Sequence, residues 1–198
     1  MPLTKIQSLG ITDGTIVAGD IASGAITAAK LASGVGGKVI AHKYATFQGT
    51  QTSTGASYAD VTDLSITHTM SNSANKIIMF GHIGRLQTIS GGSLSGSTAF
   101  VFKVDSTIPT SLIGTAASNR PGVTISDGAR GVNTDHSTSA FFMGVYLPAD
   151  TSSHTYKVQV FCQSGETAYI NSAYADADVN ASYGARAISV FQLFEVAA

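Results

Sequence analysis

Five histidines, His42, His68, His82, His136 and His154, are the residues of this chain best equipped to bind a metal or carry a proton. They are scattered singly. No pair stands at the H-x-x-x-H spacing that brings two imidazoles onto one helix face. A metal centre is therefore not expected, unless one histidine is repeated about a symmetry axis. The one thiol, Cys162, ends the strand-like run Tyr156-Lys157-Val158-Gln159-Val160-Phe161-Cys162. Alternation puts it on the face of Tyr156, Val158 and Val160, the place of a small buried hydrophobe rather than a nucleophile. A lone cysteine closes no internal disulfide, which fits a chain made in, or tolerant of, a reducing cytosol.

The carboxylates offer little more. Asp176-Ala177-Asp178-Val179-Asn180 with Ser182 starts like a calcium loop. However, Ala181 stands where that loop needs glycine and Ala187 where it needs a bidentate glutamate. Asp127, Asp135 and Glu166 are the acids of the long loops, and their spacing supports no paired-carboxylate hydrolase. The glycine-rich stretch from Gly91 to Gly96 lacks the lysine of a phosphate loop. A serine-rich chain assembles Ser-His-Asp sets by chance, so that pattern carries no force. Neither an enzyme nor a cofactor is expected. What remains is recognition: Tyr169, Tyr174 and Tyr183, with Arg120, Arg130 and Arg186 among the few cations. Tyrosines beside Asn and Asp can stack on sugars and bind their hydroxyls. The same tyrosines can instead cap the fold or fill a subunit interface, and both readings stand at this point.

The elements that position these residues are read from composition. The chain has 198 residues, 43% of them hydrophobic and only 12% charged, with 21 Gly, 24 Ser and 22 Thr. That suits many short strands joined by turns and argues against a helical bundle. The net charge of −1 supplies no field to gather phosphates, so nucleic acid is not an expected partner. The densest apolar stretch, Phe141 to Leu147, is too short to enter a bilayer as a spanning helix. No apolar run of secretory length follows Lys5.

Residues 1–37 differ from the rest. Ile6, Ile11, Ile16, Ile21, Ile26 and Leu31 fall at a strict spacing of five. Small residues, Gly10, Gly14, Gly19, Gly24 and Ala29, recur just before them. Five matches neither the strand period nor the helix period. It describes one large apolar residue per short turn-like unit, an extended repeat stalk whose aliphatic column one chain cannot bury alone. Identical chains or a groove on a larger assembly would cover it. The alternatives are a linker with fortuitous spacing and a short helix over 25–32. Gly34-Val35-Gly36-Gly37 then makes a joint.

From Lys38 onward the pattern predicts strands over 38–48, 57–69, 76–86, 98–105, 140–147, 155–163, 167–173 and 186–196. Alternation is clearest in Leu64, Ile66, His68 and Met70 against Ser65, Thr67 and Thr69. The stretch 106–138 reads as a long excursion, and loops of that length tend to be functional. Eight strands so spaced predict an all-β, jelly-roll-like two-sheet sandwich over 38–198. Two runs, Ile77-Ile78-Met79-Phe80 and 188–194, are apolar on both faces. A two-sheet sandwich covers only one face of each sheet, so the other face calls for a neighbouring subunit. Phe191 and Leu193 are the residues expected at that interface.

Several of these runs carry a family resemblance. Tyr58-Ala59-Asp60-Val61-Thr62-Asp63-Leu64-Ser65-Ile66-Thr67, the polar turn 71–75 and Lys76-Ile77-Ile78-Met79 resemble a pattern of tailed-bacteriophage virion proteins. Thr155-Tyr156-Lys157-Val158-Gln159-Val160 and Ala187-Ile188-Ser189-Val190-Phe191 look like its continuation. Ile11-Thr12-Asp13-Gly14-Thr15-Ile16 through Ala29-Lys30-Leu31 looks like the repeat stalk of phage fibres. The resemblance implies a short tail or head fibre, a homotrimer on the outside of the virion. Its stalk would attach to other virion proteins, and its knob would bind a host-surface glycan or protein. The alternative is a capsid decoration protein that cements the head.

Overall fold

The computed structural model describes residues 16–27, 30, 38–91, 96–127, 137–174 and 185–198. Contacts divide the chain into two units, 1–38 and 39–198.

The described part of the first unit is built of turns. Asp20 N donates to Val17 O at 2.9 Å, Ala25 N to Ala22 O at 2.9 Å and Lys30 N to Thr27 O at 2.9 Å. One tight turn thus recurs every five residues, in step with the aliphatic column. The first is a short 3-10 turn, Ala18–Asp20, closed by Asp20, whose Oδ2 accepts from Val17 N at 3.0 Å. Asp20 thus caps its own turn, as Asp and Asn side chains do elsewhere. No helical residue is found in 25–27, and the rest of the suggested helix lies largely outside the described residues.

The second unit is all-β. Among the described residues, ten strands form two antiparallel sheets packed face to face, the jelly-roll-like sandwich the pattern predicts. The strands are β1 (Val39–Phe47), β2 (Gln51–Thr54), β3 (Ala59–Thr69), β4 (Lys76–Ser90) and β5 (Thr98–Val104). They continue with β6 (Ile125–Asp127), β7 (Thr138–Tyr146), β8 (Ser153–Cys162), β9 (Glu166–Ile170) and β10 (Ser189–Val196). The four-stranded sheet runs β3-β8-β5-β6, and the six-stranded sheet runs β1-β10-β4-β9-β2 with β7 also on β4.

Strand β4 organises the larger sheet. Its first half pairs with β10 on one side and β7 on the other, and its second half pairs with β9. Strands β9 and β10 therefore follow one line along β4, broken by residues 171–188. Strands β1 and β2 run beside them as a second broken line. The break is tied by Asn171, in the left-handed region at φ 61. Its Nδ2 donates to Phe47 O at 2.8 Å, and its Oδ1 accepts from Ser189 Oγ at 2.7 Å. Arg85 O accepts from Asn171 N at 2.9 Å, and Gln87 Oε1 from Tyr174 N at 2.6 Å. Both ends of the excursion are thus clamped to β4.

The core lies between the sheets. Leu64, Ile66, Phe100, Phe102, Tyr156, Val158 and Cys162 enter from the smaller sheet. Ile77, Met79, Ile83, Phe142, Phe191 and Leu193 enter from the larger. The Phe142 ring stacks on Phe100 at 5.5 Å and tilts against Phe102 at 5.0 Å. Gly81 makes room for it, since a Cβ there would overlap the Phe142 ring. Inward placement of Leu64, Ile66, His68 and Met70 follows the alternation. Buried Cys162 follows its face assignment, and burial raises its thiol pKa.

Phe191 and Leu193 correct an expectation. Both are fully buried in the chain's own core and face no neighbour. Where both parities of a strand are apolar, alternation cannot say which one points inward. The outward residues of β10 are Val190, Gln192, Phe194 and Val196.

Candidate functional site

Two surfaces of the sandwich stand out. The first is the outer face of the larger sheet, where register sets side chains of β1, β10, β4 and β7 in rows. One row is His42, Phe194, Ile78 and Val145. The next is Tyr44, Gln192, Phe80 and Met143, and the third is Thr46, Val190, His82 and Phe141. None of these twelve residues is Asp, Glu, Lys or Arg. His42 stacks on Phe194 at 4.3 Å, and Phe80 meets Phe194 edge-on at 5.8 Å and Phe141 at 6.0 Å. Yet Tyr44 is 70% exposed and Phe141 61%, with Met143 and Val145 also exposed.

Strand and row spacings give this patch roughly 20 Å on each side, on the order of 400 Å². Patches of that size on single chains are often functional. The rest of the outer face is different: Arg85, Gln87 and Ile89 are buried there. The clamped ends of the excursion reach two of them: Arg85 Nη1 donates to Ala185 O, and Gln87 Oε1 accepts from Tyr174 N. Among the described residues, the chain covers one half of the face and leaves the other bare.

The second surface is a cleft of about 560 Å³ on the outer face of the smaller sheet. Ser97, Ala99, Asn119, Arg120, Pro121, Val123, Ser126, Phe161 and Gln163 line it. Phe161 and Ala99 pair across β8 and β5 and point away from the core. The Tyr58 ring holds Phe161 at 5.1 Å, and Tyr58 Oη donates to Gly122 O at 3.3 Å. The loop above is pinned. Gly114 N donates to Val123 O at 3.1 Å, Thr124 N to Phe100 O at 3.0 Å and Thr124 Oγ1 to Leu112 O at 2.7 Å. Arg120 ends a tight turn whose Ser118 has φ 55, with Ala117 and Arg120 bonded to each other through their backbones. Glu166 Oε2 sits behind the cleft, accepting from Ser97 N at 3.2 Å and Gln163 N at 3.3 Å.

The remaining candidates are placed as follows. Ile16, Ile21 and Ile26 of the column are exposed, while Ile6, Ile11 and Leu31 lie outside the described residues. Tyr169 and Tyr174 meet edge-on at 5.5 Å on the larger sheet. Arg120 lies on the smaller sheet, so these three do not form one surface. Arg130, Tyr183 and most of the calcium-like stretch lie outside the described residues, as does His136. His154 bridges two acids, with Nδ1 2.7 Å from Asp105 Oδ2 and Nε2 3.0 Å from Asp150 Oδ1. The Asp105 hydrogen bond is the largest influence on it; with the help of Asp150 it raises the imidazole pKa despite partial burial. Among the described residues, no group of three or more His, Cys, Asp and Glu is placed to hold a metal ion. Sequence reasoning missed Phe161 and the exposed members of the apolar rows. Alternation past Cys162 was the available signal for Phe161, since it sets that ring on the outer face.

No protein-family model matches the chain, and no curated protein matches it. Among solved structures, a chain from the structure of the infectious bursal disease virus Gx strain is similar at 12% identity and a TM-score of 0.33. The match covers 80% of this chain and 37% of that one. A likeness so distant carries no argument about function.

Proposed function

We propose that this chain is a structural protein of a tailed-phage virion, a short fibre of three identical chains whose sandwich knob adheres to the host surface. Its role is assembly and adhesion rather than catalysis. The observation that carries this reading is the bare half of the larger sheet's outer face, with twelve uncharged residues in register across four strands. A face without charges repels no identical copy, and burying its aromatic rings is favourable. On two copies it amounts to about 800 Å², below the range of self-sufficient interfaces. The exposed aliphatics Ile16, Ile21 and Ile26 offer a second contact, and two linked contacts reinforce each other through effective concentration. Three chains, rather than two, is what the fibre resemblance implies.

Adhesion then follows from multivalency, since weak sites repeated on each fibre and on each particle add up. The test is the mass of the purified full chain at micromolar concentration, with adsorption to susceptible host cells measured on the same sample. A mass three times the 20.3 kDa of one chain, with host adsorption, is expected. A monomer of that mass overturns the reading. Antibody labelling of particles that falls on the capsid surface rather than the tail or collar would reassign the chain to head decoration.

A further inference from the structure

We propose that the cleft on the smaller sheet binds one acidic sugar residue, a pyranose carrying a carboxylate, within a host-surface glycan. The inference deepens the adhesion reading and rests on it for the source of the ligand. Three features of the cleft define that chemistry.

The floor comes first. Phe161, in contact with Tyr58, lines the cleft with Ala99, Pro121 and Val123. The C–H face of a pyranose stacks on such a ring. The polar rim is next: Ser97 and Ser126 supply hydroxyls, and Asn119 and Gln163 supply amides. Together they donate and accept, which is what several sugar hydroxyls require. Arg120 is the third feature, the one charged residue among the described residues lining the cleft. Its side chain has no ion pair among the described residues. The carboxylate behind the cleft, Glu166, is turned to the backbone of Ser97 and Gln163. A guanidinium without a counter-ion among the described residues, beside an aromatic floor, selects a planar anion by two parallel hydrogen bonds.

The cleft is also preformed. A Cβ at Gly122 would collide with Gly114 O, so the loop depends on glycine there to close. The hydrogen bonds of Gly114, Thr124 and Tyr58 then hold it in place. A site that needs no ordering keeps more of its contact energy for the ligand. Its volume, about 560 Å³, lies within the range of small-ligand sites.

The test uses the full chain and three probes: a glucuronic-acid oligosaccharide, the matching glucose oligosaccharide and an acidic peptide of equal charge. Binding is read by calorimetry, and chemical-shift changes locate it. The uronate is expected to bind with shifts at Phe161 and Asn119, and the glucose analogue to bind about tenfold or more weaker. Arg120→Ala is expected to remove that preference, with Arg120→Lys restoring part of it. Asn119→Ala, on an exposed turn, serves as a second variant and is expected to weaken both sugars alike. Equal binding of the two sugars, tighter binding of the peptide, or uronate binding unchanged in Arg120→Ala overturns the proposal. Uronate binding without host adsorption would keep the cleft and sink the adhesion reading. Host adsorption undiminished in Arg120→Ala would keep adhesion and sink the cleft.

Discussion

His68 Nε2 lies 2.8 Å from Glu195 Oε2, and both side chains are buried. The pair ties β3 of one sheet to β10 of the other at the end of the sandwich. Ser71 N donates to the other carboxylate oxygen at 2.9 Å, and Asn75 Nδ2 donates to it at 2.6 Å. Burial pushes the Glu195 carboxyl upward, but the hydrogen bonds from Ser71, Asn75 and His68 outweigh it and bring the pKa down to about 2. With Ser71 Oγ, which also donates to Glu195 Oε1, four donors converge on a carboxylate that is 1% exposed, so the group is satisfied as an anion.

Glu195→Ala leaves those donors without their acceptor and is expected to cost about 3 kcal/mol in urea unfolding. The acid behaviour has a definite sign. The folded pKa, about 2, lies below the ordinary 4.5, so the stabilisation is complete above 4.5 and is lost as pH falls toward 2. The variant's stability should change less than the wild type's across that window.

His154 runs the opposite way. Its pKa is raised above 6.5, so its contribution is present below that value and is lost as pH rises through the folded pKa. Its imidazole resonances should titrate above the ordinary value. Asp105→Asn should bring the midpoint down, and no change would remove Asp105 as the cause.

Gly81→Ala is expected to lower stability by about 2 kcal/mol in thermal unfolding, because the Phe142 ring is held between Phe100 and Phe102 and cannot step aside. Adding Phe142→Leu should recover part of the loss if the clash is the cause.

Phe141→Glu with Met143→Glu charges the bare face. The mass by light scattering should fall to one chain, with circular dichroism unchanged. Phe191→Ala should behave differently: it opens a core cavity and costs about 3–5 kcal/mol. A double variant that kept the wild-type mass would remove that face from the assembly.

Cys162 should resist a thiol reagent in the folded protein and react only on unfolding, because it is enclosed and its thiol pKa is raised by burial. Prompt modification under native conditions would contradict its placement.

Much of the sandwich was legible in the sequence. Long strands with one buried face, such as β3, announce themselves through alternation, and the turn at 71–75 ends β3 where expected. Strands β2 and β6 were missed because four and three residues hold too little pattern. Val61 and Leu64 are both buried although three apart; Asp63, at φ 60 in an irregular stretch of the pairing, shifts the parity between them. Strand β10 showed that a surface was waiting but not which residues formed it, because Phe191 and Phe194 are equally apolar. Arg120 was picked out for its charge alone. Its partners Phe161 and Tyr58 come from elements far away in sequence, and only the pairing of β8 with β5 brings Phe161 to the cleft.

The break between β9 and β10 has a mechanical meaning. Backbone leaves the sheet at Asn171, comes back at Ser189 and is gripped at both points by side chains of β4 or of the excursion itself. Asn171 joins four strands there: it follows β9, donates to Phe47 O of β1, bonds to Arg85 O of β4 and accepts from Ser189 Oγ of β10. One side chain thus serves as a rivet for both broken lines of the larger sheet, and losing it would loosen four strands together rather than one.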